Sequence, residues 1–153
     1  MTTYDWRWYR GEQLDTHTLY ALLALRTAVF VVEQQCAYQE LDGHDLDTTT
    51  EHLAVWADGT LAASLRLRAP VSPSEPVTIG RVVIAPDHRG AGLGHRLMTA
   101  ALEHLAERWP GRDAYLSAQA HLQNYYASHG FVAVTDTYLE DDIPHIGMHR
   151  HGG

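Results

Sequence analysis

The sequence is poor in the residues that build covalent or metal-bound scaffolds. It contains a single cysteine, Cys36, so no disulfide can form within the chain, and a lone thiol suits a reducing compartment. Its 11 histidines include no HExxH motif and no Cys/His pairs at zinc-ligand spacing. We therefore predict a cytoplasmic protein with neither a disulfide nor a metal site.

The chain also lacks an excess of positive charge and a long apolar run. Its formal net charge of −8 argues against nonspecific nucleic-acid binding, which depends on basic residues meeting phosphates. No apolar stretch approaches the roughly 20 residues of a membrane-spanning helix, and the N-terminus has no basic region followed by an apolar run. We expect one globular domain over residues 1–153 with no nucleic-acid or membrane partner.

What the chain does have is a glycine-rich segment at residues 89–94, Arg-Gly-Ala-Gly-Leu-Gly, between an apolar run and an amphipathic segment. Glycines let the backbone approach a ligand and turn its N–H groups inward, and a following helix adds the positive end of its dipole. This pattern predicts a pyrophosphate site. His95-Arg96 stand where a Walker loop needs Lys-Ser/Thr, and neither glycine register supplies the third glycine of a dinucleotide-binding fingerprint.

The spacing of apolar residues predicts seven strands and three helices around this segment. Asp15 is predicted to cap the first helix. Residues 33–50 are polar and acidic, and long connections of this kind are often functional. The predicted strands are 4–10, 52–57, 61–68, 77–85, 113–118, 131–138 and 146–150, and the predicted helices are about 16–31, 95–109 and 120–128.

These motifs resemble those of the GNAT superfamily of acetyltransferases. Arg89, Gly92 and Gly94 fill the fixed positions of its Arg/Gln-x-x-Gly-x-Gly/Ala signature, and residues 126–131 resemble its Tyr-x-x-x-Gly-Phe element. The resemblance implies an α/β (α+β) GNAT fold, a mixed central sheet of about seven strands flanked by helices. It also implies an N-acetyltransferase that moves acetyl from acetyl-CoA directly to a primary amine, a small molecule or a peptide.

Three further segments, residues 26–34, 38–43 and 143–145, resemble the ElaA-like branch of this superfamily. The chain is also similar to the acyl-homoserine-lactone synthases, which carry arginines on their central strands. Two alternatives therefore stay open, an acyltransferase of longer acyl chains and a non-catalytic sensor that binds acyl-CoA. Exposed aromatic and edge-strand surface would be compatible with a homodimer.

The resemblance also assigns residues to the donor. Tyr126 would protonate the departing thiolate, a role that suits a hydroxyl near a leaving group of pKa about 8 to 9. The family often has an asparagine at the position of Ala120. Asn124 is a weaker candidate for contacts with the coenzyme. The residues implied to bind the coenzyme are Val82, Val83, Ile84, Arg89, Gly90, Ala91, Gly92, Leu93, Gly94 and Asn124.

The acceptor end is less defined by sequence. Attack by an amine needs a base, and the strand before the glycine segment offers Arg81 where many relatives have glutamate. Glu33, His52 and His145 are the candidate bases. Two interpretations of the remaining charged residues stay open, a polar acceptor pocket or a structural ion network that holds the long loop. These residues are Arg26, Arg66 and Arg81, with Glu33, Asp42 and Asp45.

Overall fold

A mixed sheet of eight strands organises the protein. The structure is a computed structural model that describes residues 2–153. The strands are β1 (Asp5–Arg10), β2 (Thr50–Ala57), β3 (Thr60–Arg68), β4 (Val77–Ile84), β5 (Ala114–Gln119), β6 (Val132–Ala133), β7 (Tyr138–Glu140) and β8 (Ile143–Arg150). Their order in the sheet is β1-β2-β3-β4-β5-β8-β6, with β7 paired to β8. The helices are α1 (Thr16–Arg26), which continues as a π-helical segment (Thr27–Glu33), α2 (Leu93–Arg108) and α3 (Gln123–Ala127).

The two faces of the sheet differ in chemistry. Residues of β3 and β5 alternate, so that Leu65 and Leu116 lie in the apolar core with α2. That core also contains Leu97, Met98 and Leu105 of α2. The opposite face carries Arg66 and the polar residues of β5, and segment 34–49 covers part of it. Since α2 connects β4 to β5 as a crossover, those two strands run parallel.

The parallel pair β4–β5 is joined only at one end. Val77 lies opposite Ala114 and Thr78 opposite Tyr115, and no further pairs follow. The two strands diverge beyond this point, since β4 continues to Ile84 and β5 to Gln119. The divergence opens a wedge in the middle of the sheet, with its closed end at Thr78 and its open end beside the glycine-rich segment.

Strand β4 also contains a bulge inside the wedge. The register of β3 and β4 shifts between Ser64 and Arg66, and Arg81 has a left-handed φ of 52°. Such a backbone is costly for a non-glycine residue and occurs preferentially at functional sites. Beyond the bulge, the Ala85 N–H bonds to the Ala62 carbonyl on β3. The alternation of a strand therefore turns the Ile84 N–H the other way, into the wedge.

Most predicted elements are confirmed, and Asp15 caps α1 by accepting a hydrogen bond from the Thr18 N–H at 2.7 Å.

The strand predicted at 131–138 is wrong: it is divided into β6 and β7. Thr135 separates them, because its hydroxyl accepts the Gly147 N–H and so takes a ladder position of β8. Strand β8 begins three residues earlier than predicted, after a turn at Asp141 and Asp142 with φ of 49° and 61°, as in a type I′ hairpin.

The helices of residues 2–153 include none with the length and hydrophobicity that crossing a bilayer requires.

Gly147 on β8 is a position where the sheet has no room for a side chain. A Cβ there would lie 2.5 Å from the Tyr115 hydroxyl and 2.8 Å from the Thr135 methyl. We expect Gly147→Ala to lower the free energy of unfolding by about 1–3 kcal/mol, as overpacking does in a filled site. Urea denaturation measures this change.

Gly80→Ala is the matched control, because a Cβ at Gly80 would meet nothing within 4 Å. We expect its stability to equal or slightly exceed that of the parent chain, since alanine loses less backbone entropy in a strand. Equal destabilisation by both substitutions would contradict the steric argument.

Candidate active site

The glycine-rich segment forms an open cradle at the start of α2. Gly90 and Gly92 have φ of 83° and 76°, which only glycine adopts without strain. Gly92 is the N-cap of α2 and no side chain caps this end, so the first N–H groups of a 16-residue helix are available to an anion. The cradle fits a pyrophosphate by its backbone alone.

Gly94 fixes the cradle to the rest of the wedge. A Cβ at this position would lie 3.2 Å from Ile84 Cδ1 and 3.4 Å from the Tyr125 hydroxyl. That hydroxyl donates a hydrogen bond to the Gly94 carbonyl at 2.5 Å. Burial raises the pKa of Tyr125, with a smaller contribution from Tyr126, so the donor proton is retained. The start of α2 therefore sits directly on β4 and α3.

Arg89 connects this segment to two other elements. Its Nε donates to the Ile84 carbonyl at 3.0 Å, and its two terminal nitrogens donate to Glu33 at 2.7 and 2.9 Å. The hydrogen bond from Arg89 holds the pKa of Glu33 below its ordinary value. Glu33, a candidate base by sequence, thus lies at the glycine cradle and does not line the cavity described next.

A cavity of about 430 Å³ occupies the wedge. Gly80 leaves space on β4, while Ser117 and Gln119 of β5 form the facing wall. Segment 34–49 and the β7–β8 turn complete the lining. The charged and ionisable residues that line it are Cys36, Tyr38, Asp42, Arg66, Arg68, Arg81, Tyr115, Tyr126, Glu140, Asp141 and His145.

Tyr126 reaches this cavity from α3 with only 6% of its surface exposed. Its ring packs edge-on against Tyr125 and Phe131. Burial raises the pKa of Tyr126 to about 12, so the phenol stays protonated at neutral pH and can act as a proton donor. Asn124, by contrast, is an exposed residue of α3 that does not line the cavity.

His145 lies on β8 at the other side of the same cavity and is buried. Its Nδ1 is 2.7 Å from the Ile143 carbonyl, which can only accept, so Nδ1 carries a proton. Nε2 is left to accept a proton and lies 3.4 Å from Glu140 Oε2. The Glu140 carboxylate is the ion-pair partner of this nitrogen when the imidazole is protonated.

His52, the third candidate base, does not line the cavity. It is 1% exposed on β2, and its Nε2–H donates to the Asp45 carbonyl at 2.8 Å. Burial, with the nearby charges of Arg26 and Arg66, lowers its pKa. The contact of His52 is a structural one, since it holds segment 34–49 on the sheet.

Three arginines and three carboxylates form a network between that segment and the sheet. Arg26 pairs with Glu40 and Asp45 at 2.5 and 2.7 Å. Arg66 pairs with Asp42 and Asp45 at 2.7 and 3.0 Å. The sixth member is Arg81, whose Nε lies 2.6 Å from Glu40 Oε1. The contact is an ion pair, because the direction of the N–H does not meet the geometry of a hydrogen bond.

Electrostatics keep two acidic members of the network, Asp42 and Asp45, ionised. Burial opposes ionisation of Asp42 and Asp45, but hydrogen bonds and charge from the arginines outweigh it and hold both pKa values below the ordinary range. Arg26 is 1% exposed and does not line the cavity. Arg66 and Arg81 belong both to the network and to the cavity wall, so the two interpretations of these charges overlap.

Several cavity residues were missed by sequence reasoning. Arg68, Tyr115 and Ser117 line the wall. Strand alternation was the signal for Arg68, which shares a face of β3 with Arg66. Glu140 had no local signal, because residues 139–145, which include the β7–β8 turn beside it, were predicted to lie between two strands. Cys36 lines the cavity too, where its thiol donates to the Asp141 carbonyl at 3.4 Å.

Among residues 2–153, one group of potential metal ligands lies elsewhere. Asp113, His149 and His151 bring ligand atoms within 4.8 Å of one another. Asp113 accepts the Gly152 N–H and contacts both imidazoles. His149 is at the opposite end of β8 from His145, so the group is separate from the wedge.

The sequence and the fold of this chain both match known proteins. The family model described as an acetyltransferase (GNAT) domain matches residues 9–151. The ElaA protein of Escherichia coli is 47% identical over 95% of each chain, and its crystal structure superposes with a TM-score of 0.92 over 97% of this chain and 99% of that one. An acyl-CoA N-acyltransferase from Pseudomonas aeruginosa is 57% identical, with a TM-score of 0.93 over 97% and 99% of the two chains.

The buried network generates a stability prediction. Arg26→Leu would leave Glu40 and Asp45 buried with one fewer cation, so we expect a loss of about 3–5 kcal/mol in the free energy of unfolding. Chemical denaturation followed by circular dichroism measures it.

Arg7→Leu removes the same charge from an exposed pair with Asp5, whose side chains are 62% and 54% exposed. It should leave the melting temperature unchanged, because solvent screens such pairs. A small, similar effect of both substitutions would argue against a role of the network in stability.

Proposed function

Since this chain belongs to the GNAT acetyltransferase family, we propose that it moves an acetyl group from acetyl-CoA to a primary amine by direct transfer. One observation carries the proposal: the wedge brings a proton donor, Tyr126, and a proton acceptor, His145, to one cavity beneath an uncapped helix terminus. The bulged edge of β4 faces the same space. These are the groups that acyl transfer to an amine needs.

The donor would be held by backbone groups along β4 and α2. Residues 89–94 and the first N–H groups of α2 would bind the pyrophosphate, and the free edge of β4 at Val82, Val83 and Ile84 would align the pantetheine arm. Acetyl-CoA supplies the acyl group as a thioester. N–H groups on this edge that point into the wedge would polarise the thioester carbonyl, as fixed backbone dipoles do.

The acceptor amine must lose a proton to become a nucleophile. His145 is the candidate base whose free nitrogen lies at the cavity. Its Nδ1–H donates to the Ile143 carbonyl, so the proton lost by the amine would pass to Nε2. Glu140 stands 3.4 Å from that nitrogen and would stabilise the imidazolium that results.

The sulfur would receive a proton from Tyr126. The phenol is buried, and burial keeps its pKa about 12, so it remains protonated until the thiolate departs. Glu33 would act indirectly, by positioning Arg89 at the coenzyme cradle through their paired hydrogen bonds.

Direct transfer is favoured over a covalent acyl-enzyme by the surroundings of Cys36. Its thiol lines the cavity, but the hydrogen bond it makes is to a backbone carbonyl, which cannot accept its proton. Within residues 2–153, no histidine forms a hydrogen bond with it. A thiol in this setting lacks the base that activates nucleophilic cysteines.

Tyr126→Phe tests the role of the phenol. We expect kcat for acetyl transfer to a small amine panel to fall by about 100-fold or more, the usual size of a lost general acid. The Kd for coenzyme A should stay within a few-fold, because the ring remains in place. Free-thiol release and calorimetry measure the two quantities.

Cys36→Ala is the matched control at the same cavity and should keep kcat. Loss of activity in Cys36→Ala with normal activity in Tyr126→Phe would replace direct transfer by a covalent route. Tight coenzyme binding with no thiol release from the parent chain would instead support a non-catalytic sensor.

His145→Gln and Glu33→Gln separate the two remaining base candidates. We expect His145→Gln to lower kcat by about 100-fold, since glutamine keeps the hydrogen bond to Ile143 but cannot take the proton. Glu33→Gln should keep kcat and change the Kd for coenzyme A, because Glu33 contacts Arg89. The reverse pattern would identify Glu33 as the base.

A further inference from the structure

Arg68 differs from every other positively charged side chain of the described protein. All 11 lysine and arginine positions are arginine, and ten of these side chains contact an acidic group, a backbone carbonyl or an aromatic ring. Arg68 lines the cavity, yet within residues 2–153 its guanidinium has no hydrogen-bond or ion-pair partner. Arginine stays charged at any relevant pH, so this charge is available to an anion from outside the chain.

We propose that the acceptor is a primary amine that also carries a carboxylate at its far end, and that Arg68 binds this carboxylate. The inference rests on the proposed acyl transfer and adds the chemical class of its acceptor. A guanidinium matches a carboxylate with two parallel hydrogen bonds, which supplies both affinity and orientation.

Two buried polar atoms beside Arg68 also lack partners. Arg66 Nε and Thr50 Oγ1 make no hydrogen bond among residues 2–153. Thr50 is the register partner of Arg68 on β2, and Arg66 precedes Arg68 by two residues on the same face of β3. Unpartnered buried polar groups are rare in native proteins, so their position beside the unpaired Arg68 marks this end of the cavity as polar and incomplete.

The remaining charges make the cavity dipolar. Arg26, Arg66 and Arg81 are balanced by Glu40, Asp42 and Asp45 within the ion network, so the network adds no net charge. Arg68 leaves an excess positive charge at one end. At the other end Glu140 and Asp141 line the wall beside His145, and no arginine pairs with either in residues 2–153. An ammonium group suits that end and a carboxylate suits the end at Arg68.

The register gives the spacing of the two ends. Arg68 lies in one row with Thr78 and Tyr115, and His145 lies opposite Gln119, four residues further along β5. Four residues and three strand spacings correspond to roughly 13 Å and 14 Å. Because strand side chains stand roughly perpendicular to the sheet, those of Arg68 and His145 shorten this separation only in part. The acceptor is therefore elongated, with its amine and carboxylate several bonds apart.

The test compares acceptors that differ only in the terminal charge. The full chain is assayed with acetyl-CoA and either 6-aminohexanoate or its neutral amide, with glycine and glycinamide as a short pair. Triglycine and its amide distinguish a peptide from an ω-amino acid. We expect 6-aminohexanoate to exceed its amide by tenfold or more in kcat/KM, and glycine to be a poor acceptor.

Arg68→Ala should abolish this discrimination. We expect kcat/KM for 6-aminohexanoate to fall about tenfold to 100-fold, mainly through KM, which is the range for a lost hydrogen-bonded charge. The value for the amide should change less than twofold. Arg68→Lys should recover part of the preference, and Arg7→Ala, which removes an exposed charge on β1, should change neither acceptor.

Each outcome has one meaning. Equal use of the carboxylate and the amide, or an Arg68→Ala effect of the same size on both, overturns the inference and leaves the proposed acyl transfer standing. A preference for glycine over longer acceptors overturns the elongated form of the acceptor. Absence of thiol release with every amine overturns the proposed function and this inference with it.

Discussion

The buried ion network between segment 34–49 and the sheet is the interaction on which the candidate site depends. Three arginines and three carboxylates are brought together there, at a desolvation cost that only close pairing offsets. The network holds Asp42 and Tyr38 in the cavity wall. Segment 34–49 has no helix or strand of its own, so these ion pairs and the hydrogen bond from His52 supply the contacts that an apolar face would otherwise provide.

The second constraint is the short pairing of β4 and β5. A sheet closed along its full length would leave the backbone groups of β4 bonded to β5 and leave no room between the strands. Because pairing stops after Thr78 and Tyr115, one edge of β4 is free beyond the bulge at Arg81. The glycine cradle lies at the open end of the wedge and Arg68 at the closed end, so in the proposed reaction donor and acceptor would approach the cavity from opposite sides.

Much of the fold and the donor side could be predicted from sequence, whereas the acceptor side could not. The glycine-rich segment, the cap at Asp15 and Tyr126 in the cavity all follow from short-range patterns. Glu33 and His145 were predicted as equivalent candidates, yet Glu33 pairs with Arg89 at the cradle and His145 lines the cavity. Residues 33 and 89 are distant in sequence, and no local pattern encodes which charge will meet which.

The sequence by itself determined the features that depend on local backbone preferences. Glycine at positions 90 and 92 permits a left-handed φ, alternation assigns strand faces, and family motifs predict the coenzyme site. Only the tertiary structure decided the pairing of charges, the separation of β6 from β7 and the isolation of Arg68. The physical reason is that these features arise from register and strand divergence, where residues far apart in the chain compete for the same buried partners.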